Sequence, residues 1–427
     1  MNTKDSIIWH LDREYTAPVR DPLWKHIYLS PGLMKVVDSP DFQQLHRIKQ
    51  LGPSYLVYPG ATHTRLNHSF GVFHLARRII RALLSFDSCM PLSVEGVKAF
   101  LCAALLHDVG HFPYAHSLKD LPLRDHEQLT GQIILSSPLR EIIRSDVGTD
   151  PEFVAAIVDL SHPADNDEVA FFRHILSGTL DPDKLDYLNR DAYFCGVPYG
   201  IQDIDFAISR MRPFGSAGLA MDISGISAIE HILFSKYLMY RAVYWHRTVR
   251  VATAMIKKAV LLALRDEVIR PEELYGLDDE LFFSRLSGID YPPFELITRV
   301  PNRELYRVVW DTPFHENDPI HQRLTELETR TEAEAVIADR LSTPKLSLRP
   351  EEIIIDIPEN ISFEVTIPVV NDAGVVDYMD SGTVFTHQVV EDFTRTLRRV
   401  RLIVSPRAAT LVGNAPVLLA EALSGSV

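Results

Sequence analysis

The 427-residue sequence lacks the marks of several protein classes. Its three cysteines, Cys89, Cys102 and Cys195, form no CxxC pair and are too few for a disulfide framework, which indicates a reducing compartment. No uninterrupted apolar run approaches the roughly 18 residues of a membrane-spanning helix. The start, MNTKDSIIWHLDREYT, places charges too early for a secretory signal. We therefore expect a soluble, cytoplasmic protein.

Positive charge is also scarce, since 43 Lys and Arg residues face 57 Asp and Glu residues and give a formal charge of -14. This balance disfavours nonspecific adhesion to nucleic acid or to an anionic membrane. It does not exclude a small anionic substrate, because a buried metal ion and a few local cations can reverse the field inside one cleft. A hydrophobic fraction of 46% and a charged fraction of 23% are typical of a globular protein.

Apolar periodicity predicts a mainly α protein. Apolar residues recur at three- and four-residue spacing over most of residues 32–260, and we expect further helix to about residue 342. Beyond it, EEIIIDIP and ISFEVTIPVV predict short strands, and VEDFTRTLRRVRLIV predicts helix. The tail APVLLAEALSGSV predicts a packing or oligomer-forming helix. We therefore predict three parts: a helical core at 1–260, a helical extension at 261–345, and a small α+β region at 346–427.

The stretch ALLHDVGHFPYAH concentrates titratable side chains behind an apolar run. A lone histidine on a helix is usually a surface or hydrogen-bonded residue, so clustering alone is weak evidence. His107 and Asp108 are more telling, because two neighbours can reach one ion where a helix ends, and Gly110 and Pro113 predict an end there. Imidazole with carboxylate suits Mn, Fe, Co, Ni or Zn better than an all-oxygen Mg or Ca cage.

Two further segments could complete a metal site. His68 opens a strongly apolar helix and would point into the bundle. The segment LDPDKLDYLNRDAYF contains several aspartates, among them Asp181, Asp183 and Asp186. Taken without its neighbours, this segment is better explained as a solvated, capped helix start, because Asp-Pro before a helix is ordinary capping chemistry.

The order His68, His107-Asp108, Asp183 resembles the signature of the HD-domain metal-dependent phosphohydrolases. The motifs YPGATHTRLNHSFGV, LLHDVGHFPYAH, DHEQLTG and LDPDKLDYLNRDAYFCGVPYG narrow this resemblance to the deoxynucleoside triphosphate (dNTP) triphosphohydrolases. The most similar branch contains the eukaryotic sterile-alpha-motif and HD-domain enzyme and its standalone bacterial relatives. The resemblance covers about residues 17–260 well and the strand-bearing tail loosely.

The resemblance implies a helical HD bundle that holds one divalent first-row transition metal ion through His68, His107, Asp108 and Asp183. It implies hydrolysis of dNTPs to deoxynucleoside and inorganic triphosphate by water attack on the α-phosphorus, with Mg²⁺ accompanying the triphosphate. His116 would protonate the leaving oxygen, and His111 and His126 would face the phosphates or support the site. Where the family has a carboxylate three residues after His116, this sequence has Lys119, with Asp120 next to it, so Asp120 is the candidate substitute.

The resemblance also implies a substrate pocket. Its candidate residues for binding phosphate, sugar and base are Gln50, Leu51, Arg65, Lys184, Tyr187, Asp191, Lys236 and Tyr244. Gln50 and Asp191 would bind the 3'-hydroxyl, while Leu51 and Tyr187 would crowd a 2'-hydroxyl. Tyr244 can equally be a core aromatic residue.

A second nucleotide site for an activator is implied more weakly. Asp38 and Gln43 match it, whereas His46 stands where the family has arginine and Ala17 stands where it has lysine. From the family we expect a homo-oligomer, dimeric or tetrameric.

Two alternatives remain open. The first is an HD phosphohydrolase acting on another nucleotide phosphoester. The second is a non-catalytic, metal-containing protein that binds nucleotide or single-stranded nucleic acid. For the second alternative we would expect that one of the metal-ligand residues has been replaced, or that basic and aromatic residues form a stripe. The sequence shows neither feature.

Overall fold

The computed structural model describes residues 3–164, 166–361, 363 and 366–424. Parts of two predicted segments, residues 362, 364 and 365 of ISFEVTIPVV and residues 425–427 of the tail, lie outside the described residues. In the described chain the α-helices are α1 (Thr3–Arg13), α2 (Pro31–Val37), α3 (Pro40–Gln44), α4 (Arg65–Leu83), α5 (Val94–Leu106), α6 (His126–Ile134), α7 (Leu139–Ile142), α8 (Pro151–Val158), α9 (Asp167–Leu176), α10 (Pro182–Cys195), α11 (Ile204–Arg210), α12 (Ile226–Met239), α13 (Arg247–Arg265), α14 (Asp279–Ser287), α15 (Glu295–Arg299), α16 (Pro319–Arg323), α17 (Leu327–Leu341), α18 (His387–Leu397) and α19 (Ala415–Ser424).

The strands form three small sheets. They are β1 (Ala17–Asp21), β2 (Lys25–Leu29), β3 (Met211–Pro213), β4 (Leu219–Asp222), β5 (Arg307–Pro313), β6 (Ile353–Asp356), β7 (Pro368–Asn371), β8 (Gly374–Asp377) and β9 (Arg399–Val404). Strands β1 and β2 make an antiparallel hairpin, in which Asp21 pairs with Lys25 at the turn. The other sheets have the orders β3-β4-β7-β8 and β5-β9-β6. Because helices far outnumber strands, the prediction of a mainly α fold is confirmed.

Helix α5 lies at the centre of the first part of the chain. The side chains from Ala99 to Leu106 are all buried, as expected for a helix that other helices surround. It packs against α4 and α8, and α10 packs against α4. This packing brings together the first turn of α4, the end of α5 and the first turn of α10, where three of the predicted metal ligands reside.

Two segments differ from their predicted secondary structure. Arg307–Pro313, expected to be helical, forms β5, and the RVRLIV part of the segment expected to be helical forms β9. Strand β9 is the middle strand of its sheet, between β5 and β6, and Val400, Leu402 and Ile403 are fully buried. Tertiary pairing therefore decides the structure of this β-branched run. Strand β6 within EEIIIDIP is confirmed.

Local signals explain the helix ends at the site. Asp181 caps α10, its side chain accepting from the Lys184 backbone N–H at 2.6 Å, and Pro182 opens the helix. Helix α5 ends at Leu106, ahead of Gly110. Gly110 instead allows a close approach, because a Cβ there would lie 2.3 Å from the His126 carbonyl oxygen. Within the described part of the chain, no helix is both long and apolar enough to cross a membrane.

Candidate metal and substrate site

Three predicted metal ligands converge between α4, α5 and α10. The ligand atoms of His68, His107 and Asp183 all lie within 4.8 Å of one another. His68 Nε2 is 2.8 Å from Asp183 Oδ1, and His107 Nε2 is 4.0 Å from the same oxygen. Burial opposes a charged His68 ring, but Asp183 and Asp186 outweigh it and raise the pKa of His68 to about 10. The group therefore attracts positive charge.

Both histidines present Nε2 to this group. His107 Nδ1 lies 3.0 Å from the Ala104 carbonyl oxygen, which can only accept, so Nδ1 carries the hydrogen and Nε2 carries the lone pair. His107 Nε2 is buried and makes no hydrogen bond. An orphaned imidazole nitrogen beside a second imidazole and a carboxylate fits a first-row divalent metal ion.

Asp108, the fourth predicted ligand, lies at the edge of this group. Its Oδ1 is 3.4 Å from His107 Nε2 and 3.1 Å from His111 Nε2, while Oδ2 accepts a 2.6 Å hydrogen bond from Arg65 Nη1. Burial alone would raise the pKa of Asp108, but His111, His107 and Arg65 outweigh it and hold the pKa well below its ordinary value. Asp108 is thus a buried carboxylate anion that lies between His107 of the predicted metal group and His111.

A second histidine group adjoins the first. The ligand atoms of His111, His116 and His126 also lie within 4.8 Å of one another, and the His111 and His126 rings stack at 3.9 Å. Burial, reinforced by Arg65, lowers the pKa of His111 to about 3. Desolvation and Arg65 also lower the pKa of His116, although its side chain is exposed to solvent at the edge of the group. Burial and the neighbouring histidines hold the pKa of His126 well below its ordinary value. These shifts all favour the neutral form of the three rings.

His116 lines a shallow surface recess together with His126, Lys119 and Arg124. Asp120 does not support it as the sequence suggested. Asp120 Oδ2 instead pairs with Lys257 and Arg330, and no carboxylate among the described residues hydrogen-bonds to His116. Two cations from α13 and α17 therefore draw Asp120 away from the recess.

The predicted sugar-binding residues meet around His63, which the sequence did not single out for a role. The Gln50 backbone N–H donates to the His63 carbonyl oxygen at 3.0 Å, and His63 Nε2 lies 2.9 Å from Asp191 Oδ1. The Tyr244 hydroxyl donates to the other Asp191 oxygen at 2.7 Å. The Tyr187 and Tyr244 rings meet edge to face at 6.3 Å. Tyr244 is thus part of the Asp191 hydrogen-bond group as well as of the core.

The remaining predicted residues are distributed more widely. Lys184 Nζ donates to Asp181 at 2.6 Å and to the Gly178 carbonyl oxygen at 3.0 Å. Lys236 is buried with its ammonium group 5.4 Å from the centre of the Phe363 ring. Leu51 packs against the core. Of the candidate activator residues, Asp38 and His46 are exposed, and the Gln43 amide donates to the Val37 carbonyl oxygen.

Sequence reasoning assigned no role to the groups behind His68. Asp186, fully buried, lies 2.9 Å from His68 Nδ1 and is held by Arg190 of the same helix. The available signal was spacing, since Asp186 follows Asp183 by three residues and precedes Arg190 by four, which places all three on one helix face. The partners Asp21 and Trp24 are more than 160 residues away and left no local signal.

Comparison with known proteins agrees with this geometry. The model of the HD domain matches residues 65–184, and the model of the HD associated region matches residues 203–389. An uncharacterized protein of Methanocaldococcus jannaschii is 32% identical over 71% of this chain and 62% of its own. The deoxynucleoside triphosphate triphosphohydrolase SAMHD1 of Bos taurus is 26% identical over 79% of this chain and 66% of its own.

A solved structure of a hypothetical protein from Aquifex aeolicus superposes with a TM-score of 0.69 at 27% identity, covering 95% of this chain and 98% of that one. The chain spans about half to two thirds of the length of the curated relatives it matches. The HD-domain match begins at Arg65, which contacts Asp108, and ends at Lys184, next to the predicted ligand Asp183. The chain belongs to the HD-domain family.

Proposed function

We propose that this protein hydrolyses deoxynucleoside triphosphates to deoxynucleoside and inorganic triphosphate. The observation that carries the proposal is that helix α10 presents Asp183 to the cation-attracting group with His68 and His107, and presents Asp191 to the polar cluster with His63 and Tyr244. A substrate with a phosphate chain at one end and a sugar at the other needs both a cation site and a polar site of this kind. The similarity to SAMHD1, whose name states this activity, supports the substrate class.

Four residues, His68, His107, Asp108 and Asp183, would hold one divalent transition metal ion. Such an ion would lower the pKa of water and offset phosphoryl charge. Asp108 would turn toward it through Oδ1, while Arg65 keeps hold of Oδ2. This arrangement leaves Arg65 close to both the ion and the phosphates.

The reaction is displacement at the α-phosphorus. A water oxygen forms a bond to phosphorus, and the bond from phosphorus to the sugar 5'-oxygen breaks. The departing oxygen takes a proton, for which His116 is the donor we propose. Desolvation and Arg65 lower the pKa of His116, and the negative charge of a triphosphate would raise that pKa and favour the protonated ring. Lys184 and Lys236 would add positive charge along the phosphate chain.

Selection of deoxyribose would rest on the Asp191 cluster. Gln50 and Asp191 are linked through His63, so both can face one sugar hydroxyl from fixed positions. Leu51 and Tyr187 would crowd the place of a 2'-hydroxyl, so a ribonucleotide would meet steric and desolvation costs. Asp38, Gln43 and His46 stay a candidate activator site. A homo-oligomer stays our expectation for the assembled protein.

The test is product identification with purified, Mn²⁺-loaded protein and a panel of dNTPs, ribonucleotides, monophosphates and cyclic nucleotides. We expect deoxynucleoside and triphosphate from dNTPs. Orthophosphate, or a monophosphate with pyrophosphate, would contradict the proposal and favour another phosphoester reaction.

His107→Ala should remove the activity. A matched control is His174→Ala, because His174 also bonds through Nδ1 to a carbonyl of its own helix, at 2.8 Å from Ala170. This variant should retain activity. Equal loss in both variants would assign the effect to folding instead of to the metal site.

A further inference from the structure

A buried hydrogen-bond network lies behind the metal ligand His68. Asp186 Oδ2 is 2.9 Å from His68 Nδ1 and accepts from Arg190 Nε at 2.7 Å. Asp186 Oδ1 accepts from Arg190 Nη2 at 2.9 Å and from Trp24 Nε1 at 2.5 Å. The third nitrogen of Arg190, Nη1, donates to Asp21 Oδ2 at 2.8 Å. We call these groups, Asp21, Trp24, Asp186 and Arg190, the Asp186 network.

The network leaves His68 one orientation. Asp186 and Arg190 are fully buried, and Asp21 is 3% exposed, so water does not compete for these contacts. An ionised carboxylate has about four acceptor sites and no donor, and the four contacts to Asp186 fill them. His68 Nδ1 must therefore carry a hydrogen whatever the state of Nε2, so Nε2, which faces Asp183 at 2.8 Å, is the nitrogen that can bind a metal ion.

The two metal-ligand histidines are held differently. His107 Nδ1 meets a neutral carbonyl, that of Ala104, whereas His68 Nδ1 meets a carboxylate. A carboxylate behind an imidazole raises the basicity of the ligating nitrogen as well as fixing the ring. Gly71 of α4 supplies independent evidence that the Asp186 side chain packs closely against this helix, because a Cβ at residue 71 would lie 1.8 Å from Asp186 Oδ1. Helix α4 thus needs glycine where Asp186 packs.

The network also reaches the N-terminal hairpin. Asp21 is the last residue of β1, and its Oδ1 accepts the backbone N–H groups of Leu23 at 2.9 Å and Trp24 at 2.7 Å. The Trp24 ring stacks on His74 of α4 at 5.8 Å. The turn of the hairpin is therefore fastened to the same carboxylate that orients His68.

We propose that Asp186 is a positioning residue that fixes the orientation and tautomer of His68, and that through Asp21 and Trp24 it couples the β1–β2 hairpin to metal binding. The proposal rests on the metal site of the proposed function, but not on the identity of the substrate. It assigns a role to four residues outside the ligand set, and it gives the hairpin a physical connection to the active site.

The first test measures Mn²⁺ affinity by titration calorimetry without nucleotide. Asp186→Asn removes the charge behind His68 and should weaken Mn²⁺ binding by about 10- to 100-fold. The matched control is Asp356→Asn, because Asp356 of β6 is also a buried aspartate, and it is held by Arg401 of β9 and Arg250 of α13. The control should lose thermal stability and keep wild-type Mn²⁺ affinity.

The second test follows hydrogen exchange of the amides at residues 21–25. In the wild type, Mn²⁺ should slow their exchange, and in Asp186→Asn this effect should disappear. Trp24→Phe removes only the indole donor and serves if Asp186→Asn fails to fold. It should weaken Mn²⁺ binding by about threefold or more and reduce the effect on the hairpin.

Three results would overturn the proposal: wild-type Mn²⁺ affinity in folded Asp186→Asn, equal loss in Asp356→Asn, or unchanged affinity and hairpin exchange in Trp24→Phe. Neither measurement needs turnover. If Mn²⁺ affinity depends on the Asp186 network but the wild-type protein leaves dNTPs intact, the proposed substrate is contradicted and the positioning role is supported.

Discussion

Gly71→Ala separates helix propensity from packing at the buried Asp186. In an α-helix interior, alanine is favoured over glycine by about 1 kcal/mol, so propensity predicts a gain in stability. Packing predicts the reverse, because the new Cβ would lie 1.8 Å from Asp186 Oδ1 and 2.5 Å from Arg190 Nη2. Displacing that buried ion pair costs about 3–5 kcal/mol. The two effects together predict a net loss of about 2–4 kcal/mol.

Urea unfolding followed by circular dichroism measures this difference in the free energy of unfolding. Gly413→Ala is the matched control, because no atom lies within 4 Å of the Cβ position there. That variant should stay within about 0.5 kcal/mol of the wild type. A Gly71→Ala protein as stable as the wild type, or more stable, would refute the packing described here around Asp186.

Three further predictions concern other parts of the chain. Burial opposes ionised Asp356, but two arginines outweigh it and lower its pKa; its stabilising effect is therefore present above the unfolded pKa of about 4 and lost as pH falls through the folded pKa. The urea midpoint should drop more between pH 5 and pH 3 in the wild type than in Asp356→Asn, and equal drops would contradict this. Lys258→Ala leaves the buried Glu334 unpaired and should cost about 3–5 kcal/mol in urea unfolding; a cost below about 1 kcal/mol would show that water reaches the pair. Tyr244→Phe removes a donor to Asp191 and should lower kcat/KM for dNTPs by about 5- to 150-fold in a product assay, which corresponds to about 1–3 kcal/mol of lost transition-state stabilisation. Unchanged kinetics would remove Tyr244 from the substrate site.

The residues of the candidate metal group could be located from the sequence because they mark helix ends. Apolar periodicity located α4 and α5, and the adjacency of His107 and Asp108 at a helix end indicated shared ligation. The Asp-Pro signal at 181–182 located the start of α10. Of the two aspartates, Asp181 caps the helix by accepting from the Lys184 backbone N–H. Asp183, in the first turn, takes no part in the cap and faces His68.

What the sequence missed depends on contacts between distant segments. Strand β9 pairs with β5, which lies about 90 residues earlier, and neither run shows by itself that it is extended. Asp120 looked like a substitute carboxylate for His116 because it is near in sequence. Its partners Lys257 and Arg330 follow it by 137 and 210 residues, and only the folded chain brings them close.

The most direct test of the proposed chemistry is hydrolysis of a dNTP in ¹⁸O-labelled water by the Mn²⁺-loaded protein, with mass spectrometry of both products. Attack at the α-phosphorus with cleavage of its bond to the sugar oxygen predicts the label in inorganic triphosphate and none in the deoxynucleoside. Label in the deoxynucleoside, or release of monophosphate and pyrophosphate, would contradict the account.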